Sequence, residues 1–394
     1  MGVLQDHAQG RLRRAFAKAE TTFATYLKPT TADAFKCLSM EIKPEKAWEP
    51  RNDSRQTRSI GEEIPGKKKV TWKTEAYLLP SGSVGTAPDV DQLIKAAMGA
   101  AYAANGYALG AGQQAPGSLS LCHEYPRVVM EAASGAWVDK MTIKVDGGSE
   151  PRISFEGGAA DYILTGNGKV GAIAAGAATA IVVKAGDREA FMINSVVSFK
   201  TPAGANISDG AGAGHTITAY DRTTGAATIA PGLTAGIAVD DLIEPFVPVE
   251  TTAGSPVANV AGSLAIATVD LPFTGMEITL ENQVKPFDDE ALKENVTDYS
   301  LDWRKVNGQV SFKCRKDKVI EVGKAFNYIQ NAGLTQAINL IIGPSAGKRW
   351  KVNVPYARIT PTGLEPAESE ELTYTLPFVA RMSVGEDELN FLLD

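Results

Sequence analysis

The chain of 394 residues is poor in the side chains that do chemistry, with three cysteines and three histidines. Cys37, Cys122 and Cys314 stand far apart and none belongs to a CxxC pair. That excludes a disulfide framework and a cysteine-based zinc site, and predicts buried free thiols in a reducing compartment. His7, His123 and His215 have no partner at ligand spacing, so each reads as an ordinary polar residue and not as a metal ligand or catalytic base. No stretch approaches the roughly 20 apolar residues of a membrane span, and no membrane partner is expected. The first residues lack the apolar core of a secretory signal; Arg11, Arg13, Arg14 and Lys18 read as a short amphipathic helix or a flexible arm, without export. A basic excess is missing too. The formal net charge of -7 argues against a surface that grips nucleic acid, although a surface that lets DNA pass without gripping it would also look acidic.

What the chain does have is strand periodicity. Val70, Trp72, Ala76 and Leu78 alternate with Thr71, Lys73, Glu75 and Tyr77, which predicts a half-buried strand of an antiparallel sheet. After Pro88, with Asp89 as N-cap, Val90, Leu93, Ile94, Ala97 and Met98 fall on one helical face, giving a helix over 89–104. Residues 33–43 read as a first strand. Pro44 to Pro65 reads as a long polar connection, and Trp48 within it suggests an arm that orders against a neighbouring subunit. The Gly and Ala rich stretch after the helix reads as a loop.

Further on, Met141, Ile143 and Val145, the Asp146-Gly147-Gly148 turn, then Ile153 and Phe155, predict a hairpin with one wet face. From Gly166 to about Glu250 the composition shifts to Gly, Ala, Thr and Val, without any of the five tryptophans. This predicts a small inserted β-barrel or sandwich, one of its hairpins turning at Asp221 to Gly225. The host resumes near Thr251 with further strands, a turn at Asn307-Gly308, a helix around Val319 to Gln330 and strands over INLIIG, KRWKVNVPYARI and ELTYTLPFVARM. The order strand, helix, strand, hairpin occurs twice, which suggests an internal duplication. The domains expected are therefore 1–165, the insertion 166–250 and 251–394, in a mainly β fold with one or two flanking helices.

The chemical motifs fail on context. Gly61 to Lys68 satisfies GxxxxGK, but has Lys68 where Ser or Thr should reach Mg²⁺, two glutamates that would repel phosphate, and a strand following where a helix is needed. Gly343 to Arg349 reads as a hairpin turn and Gly210 to His215 as a flexible loop. The acid pairs Asp288-Asp289, Asp240-Asp241 and Glu370-Glu371 read as solvated carboxylates and not as a catalytic pair. No enzyme activity, cofactor or metal is expected.

Several segments together, AETTFATYLKPTTADAFKCLSMEIKP, TRSIGEEIPGKKKVTWKTEAYLLPSG, PDVDQLIKAAMG and INLIIGPSAGKRWKVNVPYARI, resemble the tail tube proteins of long-tailed, siphovirus-like bacteriophages. The likeness covers most of the chain outside Gly166 to Glu250. It implies a β-sandwich of half-barrel type flanked by helix, six copies joining their inner sheets into a ring, and rings stacking into a tube for DNA ejection. It also implies an acidic lumen, an outward-facing insertion, a virion location after synthesis in the host cytoplasm, and as partners further copies, a tape measure protein, a tail terminator, distal tail proteins and genomic DNA in transit. The candidate assembly contacts are Trp48, Arg51, Arg55, Arg58, Glu62 and Glu63. The alternatives are a carbohydrate-binding or host-adhesion module on a phage particle, and the inner tube of a contractile secretion or bacteriocin particle.

Overall fold

The computed structural model describes residues 13–50, 63–103, 105–110, 117–126, 128–252, 254, 262–266, 269–287, 296–313, 335–360, 373–383 and 385–393. The fold is mainly β. Seven strands make the inner sheet: β1 Ser39–Pro50, β2 Glu63–Tyr77, β3 Val129–Asp146, β4 Arg152–Ala159, β5 Phe273–Glu281, β6 Lys305–Lys313 and β7 Thr373–Ala380. All neighbours are antiparallel, in the spatial order β1, β2, β4, β3, β5, β6, β7. Alternation sets the two faces. Ala76, Ile153, Ile143, Ile278, Gly308 and Phe378 line up across six strands on the buried face, while the residues between them meet solvent.

A second layer covers the buried face. It contains the strands Ser263–Ile266, Gln336–Ile342, Trp350–Ile359, Asn390–Leu393 and Gly106–Ala108, with the helix α1, Asp91–Met98, packed beside them. Leu93, Ile94, Leu340, Val352 and Phe391 fill one continuous core with the inner sheet. Trp350 stacks on Phe391 with ring centroids 4.4 Å apart, and its indole N–H donates to the Leu78 carbonyl at 3.1 Å, tying the layers together. No helix of the described residues is long and apolar enough to cross a membrane.

The strand β3 serves two sheets. Its second half pairs with β4 and β5, while its first half pairs with Leu119–Tyr125 and Asp161–Thr165. Gly135, at φ 61, sits in this strand where an added Cβ would meet Ala160 at 2.8 Å. Residues 168–245 form a separate seven-stranded sheet around Val170, Phe191, Phe199, Ile217, Ile229 and Ile243. Its hairpin turns at Asp221 to Gly225, where the Gly225 N–H donates to the Asp221 carbonyl at 2.8 Å and φ is 77.

Some expectations are corrected. The described part of the basic N-terminal segment, from residue 13, contains a strand, Arg14–Ala19, where a helix was one expectation; Ala15, Phe16 and Ala17 are buried in succession, which no helical stripe would show. The helix starts at Asp91 with Val90 as N-cap, and ends eight residues later because Gly99 turns left-handed and donates to the Lys95 carbonyl at 2.9 Å. Pro44 to Pro65 is not a featureless loop: its two ends lengthen β1 and β2 into a hairpin that pairs as far as Pro50 and Glu63. Among the described residues β1 pairs only with β2, and an edge strand tolerates proline. Asn307-Gly308 is mid-strand in β6 and not a turn; a Cβ on Gly308 would stand 2.7 Å from the Phe378 ring, so the glycine makes room for it. The stretch read as a loop after the helix holds the strand Gly106–Ala108. The expected helix over Val319 to Gln330 lies outside the described residues.

The separate sheet meets the host across a seam where Val196 and Val247 pack on Phe16, Cys122, Met130 and Ile163. Arg14 donates to the buried Glu124 at 2.6 Å at the rim of this seam. Burial pushes the Glu124 carboxyl up to about 7, against the opposing pull of Arg14, and pushes the buried His123 ring down to about 4. Between pH 4.5 and 7 the folded chain holds a proton on Glu124 that the unfolded chain has released, so this contribution falls as pH rises. His123 acts in the opposite sense, its contribution growing from pH 4 to 6.5 as the unfolded ring loses its proton. Glu124→Gln is therefore expected to make stability climb more steeply with pH, and His123→Gln less steeply, each by up to about 3 kcal/mol across its window. Urea midpoints at four or five pH values check both signs.

Candidate functional site

Chemistry-bearing residues are dispersed. Among the described residues no group of three or more His, Cys, Asp or Glu could hold a metal. The part of the GxxxxGK segment that is described, Glu63 to Lys68, lies within β2, and Lys68 is ion-paired with Asp161, so no phosphate cradle forms there. Gly343 to Arg349 includes a turn closed by the Lys348 N–H on the Ser345 carbonyl at 3.0 Å. His215 is a structural residue, buried with Nε2 2.9 Å from Ser208 Oγ and Nδ1 2.8 Å from the Pro231 carbonyl. Asp240 pairs with Lys184, whereas Asp241 accepts the Ala238 N–H at 2.6 Å, so the two carboxylates serve different local bonds. The other two acid pairs lie outside the described residues. Cys122 is a buried free thiol whose pKa burial pushes up, and Cys37 is half-buried.

The feature that remains is a surface. The solvent face of the inner sheet is polar across β1 to β6, while on β7 it also carries Pro377 and the exposed Val379. Its middle row runs from Glu75 through Ser154, Thr142, Thr279 and Asn307 and is uncharged beyond Glu75, with Thr142 and Thr279 hydroxyls 3.2 Å apart. Charged rows flank it. Glu41 pairs with Lys43 at 2.6 Å and Lys73 at 3.0 Å, Glu75 with Arg152 at 3.2 Å, and Lys144 with Asp146 at 3.2 Å. Exposed pairs of this kind add little to stability. What they do is keep a broad β surface wet while giving it a definite charge pattern.

Two elements project from this sheet. The β1–β2 hairpin ends beyond Pro50 and Glu63, and carries Trp48 at 55% exposure with Lys46 Nζ 5.6 Å from the ring centroid. Glu63 is exposed on the same hairpin. Of the sequence candidates these two are brought together; Arg51, Arg55, Arg58 and Glu62 lie outside the described residues. The second element is a two-stranded ribbon, Val284–Phe287 with Asp298–Leu301, that continues the β5–β6 hairpin. It exposes Phe287, Leu301 and, just past it, Trp303 at 83%, while Tyr299 turns inward against Trp137 and Phe23. In the sequence Tyr299, Leu301 and Trp303 alternate with other residues, a pattern that places them on one face of a strand without marking a contact surface. The alternation was the available signal, and the exposure of Leu301 and Trp303 among the described residues was not visible in it.

A sheet with one wet face and an edge that is open among the described residues, with tryptophans held out into solvent on or beside hairpin arms, defines a structural protein made to associate. The profile of the family described as phage tail tube protein matches residues 10–380, and the chain belongs to that family. It is a component of the phage tail. A comparison with curated proteins returned no match.

Proposed function

We propose that this chain is the subunit of a long, non-contractile tail tube, in which six copies close a ring by joining their inner sheets and rings stack into the conduit for DNA ejection. The observation that carries the reading is the polar face of the inner sheet ending in the edge of β1, which is open among the described residues. An unpaired edge on a long strand invites another strand, and closing the sheet on itself through further copies removes the edge and encloses the wet face around an axis. The second layer and α1 already occupy the other face, which leaves only the polar one for the lumen. Residues 166–250 then form a domain inserted between 1–165 and 251–394, carried on the tube exterior. Trp48, Arg51, Arg55, Arg58, Glu62 and Glu63 bridge neighbouring rings from the hairpin. Tape measure, terminator and distal tail proteins set length and ends, and assembly takes place in the host cytoplasm.

The test is polymerisation of the purified full-length chain. On concentration, with or without a tape measure protein, the proposal expects sedimenting hollow tubes of stacked rings by negative-stain microscopy. Monomers that persist in both conditions contradict it.

A further inference from the structure

The register of the inner sheet brings six charges into one line across six strands: Glu41 faces Lys73, Lys73 faces Glu156, Glu156 faces Lys140, Lys140 faces Glu281, and Glu281 faces Lys305. None of the six is buried, and all lie on the polar face. Sign alternates at every step, so the row cancels within one chain. This differs from the acidic wall that the family resemblance implies, and the net charge of -7 is not concentrated on this row.

We infer that this row of the polar face meets duplex DNA as a self-cancelling line of charge, so that DNA slides past it because the row presents almost no field, and not because the row repels it. The inference rests on the reading of this face as the lumen. Its physics is a matter of length. Strands lie ~4.8 Å apart, so charges that alternate strand by strand repeat every ~9.6 Å. The potential above such a lattice falls by a factor of e about every 1.5 Å, the repeat divided by 2π. A wall of one sign is attenuated only over the Debye length, about 8 Å in physiological salt. A phosphate a few ångströms from the row therefore feels neither attraction that would hold it nor repulsion that would bar it. One neutralised carboxylate breaks the cancellation in every copy around every ring and leaves bare lysines facing phosphate along the whole conduit.

The experiment uses virions assembled with full-length Glu156→Gln, with the double variant Glu156→Gln/Lys140→Gln, and with the unaltered chain. Triggered DNA release is timed at several salt concentrations. The single variant is expected to build tails and to release DNA at least about tenfold more slowly at low salt, recovering as salt screens the exposed lysines. The double variant, which removes a facing pair and restores balance, is expected to return to within about twofold of the unaltered rate. Release by the single variant at the unaltered rate at every salt concentration overturns the inference. So does a double variant no faster than the single one, or a single variant that builds no tails, which would make Glu156 an assembly contact. The lumen reading is tested separately with Gln309→Cys, an exposed position on the same face. In tubes, but not in free subunits, this cysteine is expected to react with a small maleimide and resist one on a bulky polymer, relative to the unaltered chain. Equal reaction with the bulky reagent in both states would remove the lumen reading itself, whatever the release rates show.

Discussion

Replacing Trp48 by alanine is expected to raise the concentration at which tubes form by about 100-fold, with no measurable change in the unfolding midpoint of the subunit. The ring is 55% exposed near the end of the described part of the β1–β2 hairpin, with the Lys46 ammonium 5.6 Å from its centroid. Truncating it therefore takes little from the isolated fold, within about 0.5 kcal/mol. A tryptophan buried at the centre of a subunit contact is worth about 2–4 kcal/mol, and each 1.4 kcal/mol is a factor of ten in affinity. Light scattering against concentration reads the first effect and thermal unfolding of dilute subunits the second. Assembly at the unaltered concentration would move the contact away from this hairpin, with the ribbon bearing Phe287 and Leu301 and the adjacent Trp303 next to be tried.

Trp350→Ala is expected to act in the opposite way, lowering subunit stability by about 4 kcal/mol before any assembly step. The side chain is fully buried, lies nearly parallel to Phe391 at an interplanar angle of 6°, and bonds to the Leu78 carbonyl just beyond the end of β2. Alanine leaves a cavity between the layers and an unpaired buried carbonyl, and the two costs add. Urea unfolding of the purified subunit measures it. A loss below about 1 kcal/mol would mean that the second layer closes over the gap, and that the two layers are not locked together at this point.

The inner sheet was legible because one of its faces is wet. Val70, Trp72 and Ala76, or Met141, Ile143 and Val145, stand out only because polar residues separate them. Where strands are buried on both sides the period disappears: Leu119–Tyr125 is buried at every position but the last, and Ala15, Phe16 and Ala17 likewise carry no alternation. Asn307-Gly308 has the composition of a turn, yet its glycine serves the Phe378 ring across the sheet, a long-range requirement that local composition does not encode. The helix was placed correctly and drawn too long, since its apolar stripe fades gradually while its end is set by the conformation of Gly99. At the candidate site, Trp48 was singled out as an aromatic in a polar run, and the structure holds it exposed on the hairpin. The charge row escaped notice because it is a property of register: Glu41 and Lys305 stand 264 positions apart in the chain and share a row only once six strands are aligned.

The central claim, that the polar face of the inner sheet encloses a hollow axis made from copies of this chain, is met most directly by a cryo-electron microscopy reconstruction of the assembled tube. The account predicts a continuous inner wall of β-strands with Thr142, Lys140 and Glu156 turned to the axis and residues 166–250 on the outside. A wall that turns those residues outward, or subunits joined through the inserted sheet while the edge of β1 stays unpaired, would contradict it.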